Sequence, residues 1–146
     1  MRRFPTGVAV VAVDAGAQEL ALTVGTLVSL SLEPPLVGFG IRRDAALHEL
    51  LRESEMLAVS MLATGQEALA QHFARGVPPI ALWTRIPLRD TGGPPQLDGA
   101  VAWLTGRLTQ EHETGDHTFF VAEVESAEPG PAEQPLVFYR QSYAVL

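Results

Sequence analysis

Four histidines, His48, His72, His112 and His117, carry most of the chain's capacity for proton or metal chemistry near neutral pH. No two stand four residues apart and no HExxH occurs, so there is no zinc helix. The run His112-Glu113-Thr114-Gly115-Asp116-His117 is the densest polar cluster. It could ligate a metal, but a solvated hairpin turn accounts for it more simply, and no metal is expected. Nucleophilic catalysis is poorly served. There is no cysteine and no Gly-x-Ser-x-Gly, and the serines stand in no activating pattern. Glu123 and Glu125 share one face of a strand and read as solvated. The Rossmann and P-loop fingerprints are missing as well.

What remains is Thr23-Val24-Gly25-Thr26-Leu27-Val28-Ser29-Leu30-Ser31, hydroxyl-rich with a central glycine inside an otherwise apolar strand pattern. Its amides and hydroxyls could hold a polar ring edge or a phosphate; an ordinary Ser/Thr-rich strand is the plainer reading. Arg42-Arg43 closes the following strand, either as cations for an anion or as a solvated strand end.

The elements that must position these residues are mostly strands. Val8 to Val13 is a β-branched run stopped by Asp14-Ala15-Gly16. Leu20 to Val24, Leu27 to Leu32 and Leu36 to Ile41 follow, with Pro34-Pro35 forcing a break. Gly38 and Gly40 suggest a bend or something packed close to the backbone. Spacing turns helical from Asp44, a candidate N-cap, to Glu53. Met56 to Leu62 returns to strand. Thr64 and Glu67 have capping-box spacing before a second helix, which Gly76 would stop. Val77 to Pro95, rich in Pro and Gly, reads as a loop long enough to be functional. Val101 to Thr109 and Thr118 to Ser126 are strands, with Glu111 to Asp116 as the turn between them. Leu136 to Arg140 is the last clear strand, with Tyr143 to Leu146 as a candidate extension. The sum is a mainly β, single domain over residues 1–146: a small antiparallel, Greek-key-like barrel with two short helices.

Composition narrows the chemistry further. At 146 residues and 15.7 kDa, the chain is one domain's worth, and 47% hydrophobic against 18% charged residues means that it folds. A net charge of −7 argues against a nucleic-acid partner. All ten basic residues are arginine. Without lysine there is no Schiff base and no P-loop lysine. No apolar run approaches the roughly 20 residues of a membrane span, and Val8 to Val13 is too short for a leader's apolar region, so a cytoplasmic location is the default.

In order along the chain, four blocks resemble the flavin reductase-like family with its FMN-binding split barrel. They are Phe4-Pro5-Thr6-Gly7 through Val11; Leu22-Thr23 through Leu32-Glu33-Pro34-Pro35-Leu36-Val37; Leu97-Asp98-Gly99 through Leu104; and Gly115-Asp116-His117 through Val124, closed by Pro135 to Arg140. The resemblance implies an NAD(P)H-dependent flavin reductase passing hydride from NADH or NADPH to FMN or FAD, with a partner monooxygenase taking the reduced flavin. A non-enzymatic FMN-binding electron carrier is the alternative. It also implies a homodimer with flavin sites near the subunit interface. By the same resemblance, Thr23, Val24, Gly25, Thr26 and Leu27 wrap the flavin ring edge. The hydroxyls of Thr26, Ser29 and Ser31, with Arg43, meet the phosphate, and Thr6 and His117 lie on the nicotinamide side, with His117 as the catalytic residue. The chain departs from the family at Gly25, where a larger residue is usual, and at Asp44 to Leu47, where hydroxyl residues are common.

Overall fold

The structure, a computed structural model, describes residues 1–75 and 78–146. The unbroken apolar run of the first block forms β2 (Ala9–Asp14), in which Ala9 through Val13 are all buried. A strand buried on both faces must have neighbours at both edges and cover on both sides. It pairs with β3 (Glu19–Val24) and β6 (Leu57–Met61), and α1 (Ala46–Glu53) and α2 (Glu67–Ala74) pack on β2 and β3. The larger sheet has the order β3-β2-β6-β7-β8-β5-β4, with β4 (Val28–Leu32), β5 (Pro35–Arg42), β7 (Ala102–Thr114) and β8 (His117–Pro129). A small second sheet joins β1 (Thr6–Gly7), β9 (Val137–Tyr139) and β10 (Ser142–Ala144) in the order β1-β9-β10. Every pairing is antiparallel, as the mainly β reading expects. β3 and β5 approach each other without forming a ladder, and Phe39, Ile41, Phe73 and Phe120 are among the residues of the enclosed core.

Several expectations about element ends are corrected. Asp44 does not cap α1: Ala45 is the N-cap residue, whose methyl side chain can make no cap bond, and the Asp44 carboxylate is taken by Arg42. The Thr64–Glu67 capping box does not form either. Gln66 is the N-cap residue of α2, and the Thr64 hydroxyl donates to the Pro135 carbonyl at 3.2 Å, drawn there by the bridge between Ala63 and Pro135. The expected Val77 to Pro95 loop contains a third helix, α3 (Pro79–Leu82), with proline in its first turn, where a missing N–H costs nothing. Gly76, the expected helix stop, and Val77 lie outside the described residues. The turn placed over Glu111 to Asp116 shrinks to Gly115-Asp116, because β7 runs to Thr114 and β8 starts at His117. Gly115 takes φ +67°, the conformation that a two-residue hairpin loop with glycine first requires.

Among the described residues, no helix is long and apolar enough to cross a membrane.

Candidate functional site

β5 and β8 build the site between them. Their register sets Arg42 opposite His117 and Gly40 opposite Phe119. Phe39 and Ile41 turn into the core, so Gly38, Gly40 and Arg42 share the other face. The suggestion that something packs close to these glycines holds. The Phe119 ring lies over Gly38 in space that any Cβ would take. A Cβ on Gly40 would meet Thr26 Oγ1 at 3.6 Å and His117 Cδ2 at 3.8 Å. Two side chains 91 positions apart therefore converge over one bare stretch of backbone.

Thr26 is held there by both groups of Gly40. Its hydroxyl accepts from the Gly40 amide at 2.9 Å and sits 3.4 Å from the Gly40 carbonyl. The loop around it, residues 25–27 between β3 and β4, is exposed at Gly25 and Thr26 and half-buried at Leu27. Among the described residues, no protein acceptor takes the amides of Gly25, Thr26 or Leu27. They are donors left to solvent or to a ligand.

His117 opens β8 directly after the tight turn. Its Nδ1 lies 2.7 Å from the Asp116 carboxylate, and its side chain is 41% exposed. An ionised carboxylate only accepts, so it selects the tautomer with the proton on Nδ1 and leaves Nε2 open. The same hydrogen bond, above all, holds the Asp116 carboxyl below the usual aspartate range.

The remaining predicted residues divide. Thr6 joins the loop: its Oγ1 lies 3.0 Å from where a Cβ on Gly25 would stand, so a larger residue at position 25 would press on it. Thr23 does not reach the site with its hydroxyl, which donates to the Ala70 carbonyl at 2.7 Å and ties β3 to α2. Val24 is buried and paired with Ala9, a support for the loop. Ser29 and Ser31 alternate with Val28, Leu30 and Leu32 along β4 and are exposed and half-buried. Arg43 turns away: its amide donates to the Asp116 carbonyl and its guanidinium lies 3.5 Å from Glu113 on the hairpin arm. Among the described residues, no three His, Asp or Glu side chains come together as a metal site.

The family model for the flavin reductase like domain matches residues 1–146. The chain belongs to the flavin reductase-like family. An NADH-dependent FAD reductase of Streptomyces globisporus is 38% identical to this family member over 142 residues, covering 92% of this chain and 76% of its own. The reductase component of a Thermus thermophilus 4-hydroxyphenylacetate 3-monooxygenase is also 38% identical, over 98% of this chain and 90% of its own. Among solved structures, the flavin reductase component of a bacterial two-component tryptophan halogenase superposes with a TM-score of 0.92 at 33% identity, over 99% of this chain and 92% of that one. A Streptomyces globisporus NADH:FAD oxidoreductase in complex with NAD and FAD fragments gives 0.89 at 36%, over 97% and 86%.

Reading the sequence of this flavin reductase-like chain missed Gly40 as the floor under Thr26 and His117. Its signal is the Gly-x-Gly in a strand, a pattern that does not say what packs against it. Asp116 was also missed as the group that orients His117. The carboxylate beside a histidine was visible, but only the turn shows that the two side chains meet.

Proposed function

We propose that this chain is an NAD(P)H-dependent flavin reductase, moving hydride from NADH or NADPH to FMN or FAD and supplying a partner monooxygenase with the reduced product. The convergence of Thr26 and His117 over Gly40 carries the reading. It puts free amide donors, a hydroxyl and an oriented imidazole around Gly40, which has no side chain of its own. That donor set suits the carbonyls and nitrogens of a flavin ring edge, which need hydrogen bonds and close approach rather than charge. A bound flavin would supply the redox chemistry, for which a chain without a thiol has no side-chain counterpart of its own.

The chain's own residues do the positioning. The amides of Gly25, Thr26 and Leu27 hold the ring edge, Val24 and Thr23 anchor that loop, and Ser29 and Ser31 lie on the strand that continues from it. A cation at the end of β5 meets the phosphate. His117 offers Nε2 on the same face, its other nitrogen held by Asp116, and orients the nicotinamide; Thr6 borders the loop from the far side. Hydride transfer needs alignment more than a protein nucleophile.

A homodimer belongs to the same reading. β4 is a sheet edge with Val28, Leu30 and Leu32 at 42, 45 and 89% exposure, apolar surface spread over both faces by the bulge between Ser29 and Ser31 and suited to cover by a second copy. So do the description of the coiled larger sheet as a split barrel and a cytoplasmic location.

The test is purified protein mixed with NADH or NADPH and with riboflavin, FMN or FAD. Loss of nicotinamide absorbance at a rate set by the protein is expected. Tight flavin binding without nicotinamide oxidation would replace the reading with an electron carrier, and no flavin binding at micromolar concentrations would remove it.

A further inference from the structure

Two arginines follow one another at the end of β5, and the backbone sends them in different directions. Arg42 is the last residue of the strand, two beyond Gly40 and directly opposite His117. Directly paired residues project from the same face of a sheet, as do residues two apart. Arg42 therefore stands on the face where Thr26 and His117 meet, whereas the Arg43 guanidinium lies toward Glu113 on the hairpin arm.

Arg42 is already holding an anion. Its Nε donates to Asp44 Oδ1 at 3.0 Å and its Nη2 to Oδ2 at 2.7 Å, a two-pronged grip like the one a guanidinium gives a phosphate. Both side chains are exposed, at 64% and 70%, so the pair is weak and exchangeable. Asp116 adds a second negative charge nearby. The Asp44 carboxyl is held below its ordinary range chiefly by the Arg42 hydrogen bond, so the pair is ionised at neutral pH.

Resting on the flavin reductase reading, we propose that Arg42 is the cation that takes the phosphate of an incoming ligand, and that Asp44 is an internal competitor which must leave first. Asp44 thereby sets how strongly the site distinguishes phosphorylated from unphosphorylated ligands. The phosphate has two possible sources, the flavin's side chain or the diphosphate of the pyridine nucleotide. Both offer the oxygens that the carboxylate now imitates.

The experiment compares wild type, Asp44→Ala, Arg42→Gln and the double variant. Riboflavin and FMN affinities are measured by quenching of flavin fluorescence. The KM values of NADH and of reduced nicotinamide riboside, which lacks the phosphates, are measured with riboflavin as acceptor. Asp44→Ala should favour the phosphorylated partner of one pair by about five- to tenfold, and Arg42→Gln in that background should erase the gain. The gain should shrink as salt is raised. A change in the FMN-to-riboflavin ratio names the flavin phosphate; a change confined to the nicotinamide pair names the diphosphate. Flat ratios in every variant, or a gain from Asp44→Ala that survives Arg42→Gln, would overturn the proposal while leaving a working flavin reductase. Wild-type protein that neither binds flavin nor oxidises NADH would overturn both readings together.

Discussion

Two histidines, each beside its own acidic neighbour, meet the start of β8, one as its first residue and one packed on its second, and only one of them is free to act. His48 on α1 is 6% exposed, with Nδ1 2.9 Å from Glu49 and Nε2 2.7 Å from the Thr118 hydroxyl. Its ring also stands edge-on to Phe120 at 5.3 Å. His117, the residue before Thr118, faces the other side of the strand and keeps one nitrogen open. The chemistry of the two pairs is the same. What differs is occupancy: both ring nitrogens engaged inside the protein make a joint between α1 and β8, and one engaged nitrogen at the surface makes a group ready for a ligand.

The sharpest way to break this comparison is to remove each ring in turn. His117→Ala should slow flavin reduction on the order of 10- to 100-fold, the scale of lost orientation, while unfolding free energy stays within about 0.5 kcal/mol. Rapid mixing and urea titration read the two quantities separately. His48→Ala should do the reverse, costing about 2 kcal/mol of stability, since it strands the buried Thr118 hydroxyl and opens a cavity beside Phe120. Its folded molecules should turn over at nearly the wild-type rate. Equal loss of rate in both variants would abolish the distinction. Thr118→Val should cost about 1 kcal/mol by leaving His48 Nε2 without a partner, again read by urea titration.

The smallest effect belongs to Asp116→Asn, a few-fold loss of rate at neutral pH. Because the Asp116 pKa is depressed in the folded protein, its contribution is fully present above the ordinary aspartate value of about 3.9 and is lost as pH falls through the lowered folded value. The wild type should therefore lose more rate and stability on acidification than the asparagine variant, which keeps only the acid response of its other ion-paired carboxylates. A pH series on both proteins checks this.

The strands were legible because their cue is local: unbroken apolar runs such as Ala9 to Val13 and stops such as Asp14-Ala15-Gly16. The helix starts were less so. Asp44 and Thr64 are good caps on paper, but Arg42, two residues before Asp44, takes the first, and the Pro135 carbonyl, 71 residues beyond Thr64, takes the second. The loop 25–27 and His117 were legible as chemistry. Their meeting was not, since it depends on the register of β5 against β8. Thr23 shows the limit of reading a hydroxyl from a motif, because the acceptor it finds, Ala70, lies 47 residues away. Of two adjacent arginines, the motif pointed to Arg43, and only strand parity reveals that Arg42 shares the face of His117.

The pairing of Leu36 with Glu123 through Arg42 with His117 also bears on how the molecule is made. On the ribosome, β4 and β5 emerge early and can close as a local hairpin, yet the partner of β5 is synthesised some 80 residues later. Until then its free edge, beside the exposed apolar residues of β4, is open to pairing with other chains. The long hairpin of β7 and β8 forms from neighbouring residues and offers the template that closes this edge. The meeting of Thr26 and His117 over Gly40 is thus among the last parts of the nascent chain to exist, and a chain stalled before residue 117 would carry the loop 25–27 with nothing to complete it.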